Sequence, residues 1–411
     1  MVGIVLISTA SSLPTRAEAT AGQDWNQWRG AGRDAQMQGE SWPTQLDGLT
    51  RAWRVELGRG YPGPIVAGQR VFVVETVDAK TAAARALDRS SGEVLWTHSW
   101  PSKGSVPFFA TSNGDWVRST PAFDGKTLFV GDMSEVLIAI DGSNGKERWR
   151  VDFPARYETG IPDFGFATSP LLDGDALFVQ AANSIVKLEA ATGKTLWRAL
   201  EGSGRIQASG AFSSPVLAEL NGRRQLIVLT RLTLFGLDPG TGEVLWSHDV
   251  PNFRGMNILT PVVHGNSIFT SPYKNQSYRF DVVERDGALA VEQAWANKAS
   301  GYMSSPVVVG DHVYLHLGNG RLDCIDLRTG ESRWRSEALG KYWSMVVQGD
   351  KILALDDGGQ LYLIKANPDR FELLAKKQVA DASTWAHLAV SGEDILVREL
   401  EAVSLYRWSN E

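Results

Sequence analysis

Five times in this chain of 411 residues an acidic residue is followed four positions later by glycine and four after that by tryptophan. The copies are Asp88-Gly92-Trp96, Asp141-Gly145-Trp149, Glu189-Gly193-Trp197, Asp238-Gly242-Trp246 and Asp326-Gly330-Trp334. With Trp295 filling the widest gap, successive tryptophans lie 39–53 residues apart. That spacing marks a repeat architecture, in which each unit buries its apolar face against the next.

The acidic residue closes an apolar strand such as Val136-Leu137-Ile138-Ala139-Ile140. Its carboxylate can accept backbone N–H bonds in the turn that follows. Gly92, Gly145, Gly193, Gly242 and Gly330 can supply positive φ there. The tryptophan then falls at a constant place on the return strand. A regular array of buried indoles, each gluing its repeat to a neighbour, is the expected result.

Each unit opens on a second signature, Ser/Thr-Pro, apolar residues and a Gly turn, as in Thr120-Pro121-Ala122-Phe123-Asp124-Gly125 and Ser169-Pro170-Leu171-Leu172-Asp173-Gly174. A strand follows, then a tight turn such as Gly318-Asn319-Gly320. One unit therefore holds four antiparallel strands, the blade of a β-propeller. Openings fall at Pro64, Pro121, Pro170, Pro215, Pro261 and Pro306, then at Met345 and Leu388, which makes eight. Closing strands carry Trp96, Trp149, Trp197, Trp246, Trp295 and Trp334, and a degenerate Leu373-Leu374 closes the seventh unit. The eighth unit ends at Trp408 without a closing strand, while an unpaired one, Ala52-Trp53-Arg54-Val55, precedes the first opening. The pattern predicts an all-β, eight-bladed propeller of four-stranded antiparallel blades, its ring shut by the N-terminal strand, with seven blades the alternative. Residues 51–411 form the propeller, 20–50 an N-terminal extension and 1–19 a signal peptide. No convincing helix is expected.

The signal reading rests on apolar Met1–Ile7 and the small residues up to Ala17-Glu18-Ala19, which resemble the apolar core and cleavage site of a secretory signal. The usual basic start is missing, and a disordered or processed tail is the other reading. Export to the periplasm or exterior is therefore the expectation. No apolar run is long enough to cross a bilayer. The net charge of −6 argues against nucleic acid and anionic membrane surfaces as partners. The lone Cys324 excludes intrachain disulfides and reads as a small buried strand residue.

The repeat, written Ala-x-Asp-x-x-Thr-Gly-x-x-x-Trp, resembles the quinoprotein repeat of pyrroloquinoline-quinone (PQQ) dehydrogenases and their non-enzymatic relatives, from about Trp53 to Trp408. The opening Asp24-Trp25-Asn26-Gln27-Trp28-Arg29-Gly30 resembles the start of many exported bacterial PQQ-like propellers. In shape the chain is similar to the family's eight-bladed periplasmic lipoprotein of outer-membrane-protein assembly, which has no catalytic activity. The resemblance implies the fold; it does not choose between enzyme and scaffold.

For the enzyme, the resemblance implies PQQ with calcium in a central funnel, an Asp base and commonly a vicinal Cys-Cys disulfide. One cysteine cannot form that disulfide, there is no Cys-x-x-Cys-His haem motif, and no Asp is assigned as base. His312 and His316 lie about 13 Å apart along a strand, too far for one ion. Asp356-Asp357 reads as a solvated hairpin turn, and a G-x-S-x-G elbow is absent. No cofactor is therefore expected, with PQQ plus calcium the alternative.

Propellers bind at the face where loops enter the innermost strands. The candidate residues in those loops are Trp116, Arg118, Phe164, Phe166, Phe212, Arg254, Asn257, Tyr302, Tyr342, Trp343, Trp385 and His387. They read either as a platform for a protein or peptide partner of the cell envelope, or as a plug of the ring centre. The long connection His98–Arg118 carries Phe108-Phe109, suited either to recognition or to covering the propeller face. Glycan recognition, suggested by fifteen tryptophans, is weakened because seven belong to the blades: Trp53, Trp96, Trp149, Trp197, Trp246, Trp295 and Trp334.

Overall fold

The computed structural model describes residues 24–104, 106–202 and 210–408. The signal-like segment 1–19 lies outside them. Eight four-stranded antiparallel sheets form a closed ring, an eight-bladed β-propeller. Blade 2 is representative, with Ala122–Phe123 innermost, then Thr127–Gly131, Val136–Asp141 and Glu147–Asp152 at the rim. The two middle strands are nearly continuous apolar runs because both their faces lie against neighbouring blades. The rim strand exposes most of its residues.

The ring shuts as the repeat count requires. Leu49–Glu56 pairs with Ala402–Trp408, from Leu49 opposite Trp408 to Glu56 opposite Ala402. It becomes the rim strand of blade 8, so the first sheet edge is paired rather than left open.

The four aspartates of the repeat hold the N–H groups of their turns, whereas the Glu189 carboxylate accepts the Thr192 hydroxyl instead. Asp88 Oδ1 accepts the N–H groups of Ser90 and Ser91, at 2.9 and 3.0 Å, and Asp326 Oδ1 those of Arg328 and Thr329, at 2.8 and 3.1 Å. The glycine has two duties. Its φ is positive (74° at Gly145), and its bare Cα is covered by the indole of the preceding blade. A Cβ on Gly145 would sit 2.8 Å from Trp96, one on Gly193 2.7 Å from Trp149, and one on Gly330 2.6 Å from Trp295. The same indoles donate Nε1–H to carbonyls of those turns, Trp96 to Gly142 and Trp149 to Ala190. A β-bulge adjoins each tryptophan, as between Ala139 and Ile140 opposite Trp149, and tilts the rim strand toward the next blade.

Two details depart from the expected array. Trp149, Trp197, Trp295 and Trp334 are half-buried rather than buried, because they lie near the outer ends of the inter-blade seams. Trp246 finds no glycine turn on the next blade, although it packs in one cluster with Ile268, Tyr278 and Phe280 of blade 5. Blade 5 lacks the acidic-Gly turn; its hairpin Ser277–Arg285 with Ala288–Asn297 has longer strands and a two-residue Asp286-Gly287 turn. With no turn to receive it, Trp246 folds over Gly236 of its own blade and donates to Gln225 Oε1 at 2.6 Å.

Two short helical turns were not expected, Phe153–Tyr157, capped by Asp152 accepting from Ala155 N–H, and a 3-10 turn over Phe108–Asn113. Asp356 is buried rather than solvated. Its carboxylate holds the N–H groups of Gly358 and Gln360 and the Tyr362 hydroxyl, each at 2.9 Å. Cys324 is fully buried, with its thiol pushed up to about 12 by burial. His316 stacks on Trp343 at 4.7 Å.

The segment before the first strand is an internal part of the ring. Trp25 bridges Val66 of blade 1, Asn26 bonds Phe123 of blade 2 and Gln27 bonds Leu172 of blade 3. Arg33 donates to Ser169 and Pro170 of blade 3, Arg29 to Pro306 of blade 6 at 2.6 Å, and Met37 N–H to Val347 of blade 7. Trp42 stacks on Trp408 at 6.1 Å. Residues 24–37 therefore form a plug at the ring centre, held mostly through the innermost strands, and residues 41–49 run outward over blades 7 and 8, where Lys351 and Lys377 donate to them.

Trp96→Ala is expected to cost about 3–5 kcal/mol of unfolding free energy in urea. Trp197→Ala should cost less, being half-buried; equal losses would contradict the docking gradient. Trp246→Ala should lose about 1–3 kcal/mol beyond its packing, because Gln225 Oε1 is left buried without its donor. Gly145→Ala combines left-handed backbone with the Trp96 contact and is expected to cost about 2 kcal/mol or more. An unchanged melt in Gly145→Ala would mean that the indole does not rest on the glycine.

Candidate binding site

The Ser/Thr-Pro openings turn out to form a hydrogen-bonded belt. Gly63 N–H donates to Thr120 Oγ1 at 2.9 Å, Thr120 N–H to Ser169 Oγ at 3.1 Å, and Ser169 N–H to Ser214 Oγ at 3.0 Å. Ser214 N–H continues to Thr260 Oγ1, and Thr260 N–H to Ser305 Oγ, both at 3.2 Å. Leu388 N–H donates to Ser344 Oγ at 3.1 Å. The hydroxyls before five of the opening prolines, and Ser344 before Met345, thus stitch one blade's inner strand to its neighbour's.

Above the belt the loops entering the inner strands place aromatic rings in contact around the axis. Phe253 meets Tyr273 (6.4 Å between centroids), Tyr273 meets Tyr302 (4.4 Å), and Tyr302 meets Tyr342 (5.5 Å). Tyr342 meets Trp385 (4.7 Å), which stacks on Tyr61 (5.3 Å). Arg118 then bridges Tyr61 and Phe164, at 5.3 and 5.9 Å from the ring centroids. Phe164 meets Phe212 at 5.5 Å. Seven blades contribute at least one ring to this rim, and blade 2 contributes the Arg118 guanidinium.

The rim encloses a funnel of about 430 Å³, within the usual range for small-ligand sites. Its walls include Arg118, Phe164, Phe212, Tyr302, Tyr342, Trp343, Trp385 and His387, so eight of the twelve sequence candidates converge on one cavity. Trp116 lies just outside, packed on Tyr61 at 5.6 Å with Arg59 over its ring. The remaining three do not line it. Phe166 is buried between Gly131 and Phe153, Asn257 is buried with its amide on the Arg231 carbonyl, and Arg254 lies over Phe253. Residues with the same loop position can face the seam instead of the axis, which sequence phase does not distinguish.

Two aromatic lining residues are not among the sequence candidates. Tyr61 was hidden in a loop with no aromatic cluster. Trp28 comes from the plug and lines the funnel beside His387, at 5.8 Å. Arg29 and Arg33 flank Trp28, each 5.6 Å from its ring. Burial lowers Arg29 to about 10. Burial and its arginine neighbour lower Arg33 to about 9, so both remain cationic near neutral pH. Burial and Arg29 hold the His387 imidazole down to about 3. His387 is therefore neutral, with Nδ1–H donating to the Leu388 carbonyl at 2.8 Å. Phe108 and Phe109 are 88% and 71% exposed; Phe109 reaches the funnel mouth while Phe108 projects away from any partner ring but Phe109 itself.

No described lining residue is an Asp or Glu, and no group of three or more His, Cys, Asp or Glu suited to a metal ion occurs among the described residues. Calcium requires six to eight oxygen ligands, usually with carboxylates among them. The funnel's donor set of hydroxyls, one amide and one guanidinium does not fit a calcium–PQQ centre.

The family profile described as outer membrane protein assembly factor BamB matches residues 79–336. The outer membrane protein assembly factor BamB of Yersinia pestis is 24% identical over 304 residues, covering 70% of this chain and 69% of that protein. The polyvinylalcohol dehydrogenase of a Sphingopyxis species is 29% identical over 210 residues, covering 46% of this chain and 30% of the dehydrogenase. Among solved structures, BamB from Moraxella catarrhalis superposes with a TM-score of 0.62 at 16% identity, covering 88% of this chain and 98% of that one. With repeat, ring and profile in agreement over more than half its length, this chain belongs to the BamB family of PQQ-like β-propellers.

Proposed function

We propose that this protein is a non-catalytic binding propeller of the cell envelope, holding a segment of another protein at its aromatic-rimmed funnel. The observation that carries this reading is the rim itself, aromatic rings from seven blades with Arg118 of blade 2 between Tyr61 and Phe164, above described lining residues with no carboxylate. Aromatic side chains on rigid loops supply large contact area at low entropic cost, as binding hot spots do. The relatives named as outer membrane protein assembly factors support a protein partner and an exported location. The signal-like residues 1–19 agree with export.

The alternative, a quinoprotein dehydrogenase, has support in the polyvinylalcohol dehydrogenase relatives. Its chemistry needs a general base and a metal-held quinone. Here the funnel's histidine is too weakly basic to serve as a base near neutral pH, and no calcium ligand set is present among the described lining residues.

A photo-crosslinking residue at Tyr302, on the rim, is expected to trap a discrete envelope protein in cells, whereas one at exposed Val94 on a blade's outer strand should not. Identical adducts from both positions would remove the funnel from the interaction. Titration of the purified protein with PQQ and calcium is expected to give no saturable heat. Calcium-dependent saturation would restore the dehydrogenase reading.

A further inference from the structure

The hydroxyls of the belt carry a chemical bias. Thr120, Ser169, Ser214, Ser305 and Ser344 all line the funnel, and each oxygen already accepts a backbone N–H from a neighbouring blade. A hydroxyl has one O–H to give, and none of these five finds an acceptor among the described residues. Four of them are more than nine-tenths buried. Trp343 Nε1–H, in the same lining, is buried without an acceptor, and so is Arg118 Nε–H. Buried donors left unpaired are costly, and a ring of them is a site awaiting an acceptor.

The charges agree. Arg118 is the one formally charged side chain among the described lining residues. Arg29 and Arg33 lie against Trp28, and neither they nor Arg118 forms an ion pair with a described carboxylate. In a protein of net charge −6, the funnel floor is positive. Nε2 of His387, an acceptor in the same lining, is buried without a partner.

We infer that the funnel takes a carboxylate borne on an aromatic group. The carboxylate lies among the belt hydroxyls and Arg118, and the ring lies against the rim of Tyr61, Tyr302, Tyr342 and Trp385. A carboxylate is an acceptor-only group, which suits a ring of hydroxyls whose O–H groups find no acceptor among the described residues, and its bonds to guanidinium and hydroxyl are charge-assisted. The cavity admits a single aromatic residue with its carboxylate rather than a folded domain. This chemistry has two sources, the free C-terminus of a protein chain and a small aromatic acid. The inference rests on the binding role proposed above and specifies what the funnel holds.

The test is calorimetric titration of the full chain with N-acetylphenylalanine, its amide, and a hexapeptide ending in Phe as free acid or amide. Both free acids are expected to saturate, with each amide weaker by roughly tenfold or more. Arg118→Met should weaken the acids by roughly tenfold and leave the amides unchanged, with an unaltered thermal melt showing that the ring is intact. Ser214→Ala, which removes one belt donor, provides a second variant should Arg118→Met melt early. A hexapeptide acid binding at least tenfold tighter than N-acetylphenylalanine assigns the site to chain ends, and equal affinity assigns it to small acids. Equal affinity of acid and amide, or no saturation by about 10 mM, overturns the inference. Rim crosslinks at Tyr302 with no acid preference would leave the scaffold role standing and remove this one alone.

Discussion

The contact between an indole and a bare glycine backbone organises this molecule. A tryptophan at the rim of one blade lies flat on the turn that begins the rim strand of the next, and only glycine lets it approach. The turn must also visit positive φ, so one residue type satisfies two requirements at once. The acidic residue ties down the turn's N–H groups, and the indole N–H meets one of its carbonyls. Five of the eight inter-blade seams thus have this specific lock near their outer ends. Near the axis the seam is held by hydroxyls accepting backbone N–H groups, and apolar strands fill the space between.

Trp246 shows that the lock depends on its receiver. Where blade 5 offers a plain two-residue hairpin, the indole turns inward and finds Gln225 instead. Gly236 and the buried amide of Gln225 are local adjustments to that loss. An indole without a docking surface and a partner for its N–H would otherwise expose both.

The ring, its eight blades and its closure were legible in the sequence because spacing and register are one-dimensional properties. The aromatic funnel was legible in part, since loop phase identifies Tyr302, Tyr342 and Trp385 as neighbours across blades. It does not say that Phe166 turns into the seam toward Phe153 while Phe164 faces the axis, although the two residues differ by one step of backbone at Gly165. The plug was illegible for a different reason. Trp28, Arg29 and Arg33 make their contacts with residues far along the chain, and no local pattern encodes a carbonyl at Pro170 or Pro306. The belt was written plainly in every Ser/Thr-Pro pair, but there proline drew attention to chain direction and the hydroxyl's partner lay on another blade.

The plug also orders events in time. Arg29 reaches Pro306 across 277 residues, and Thr50 reaches Arg407 across 357. A chain made from its N-terminus displays residues 24–56 early; Val66, Phe123 and Leu172 follow soon after, but Pro306, Val347 and the closing strand Ala402–Trp408 come late. Early blades can stack on one another through local hairpins and receive the first plug residues, while Leu49–Glu56 has nothing to close upon. Trp385 and His387, which complete the funnel beside Trp28, arrive with the last blade. The binding surface is therefore completed by the same blade that shuts the ring, and a truncated or unfinished chain presents a funnel open on that side.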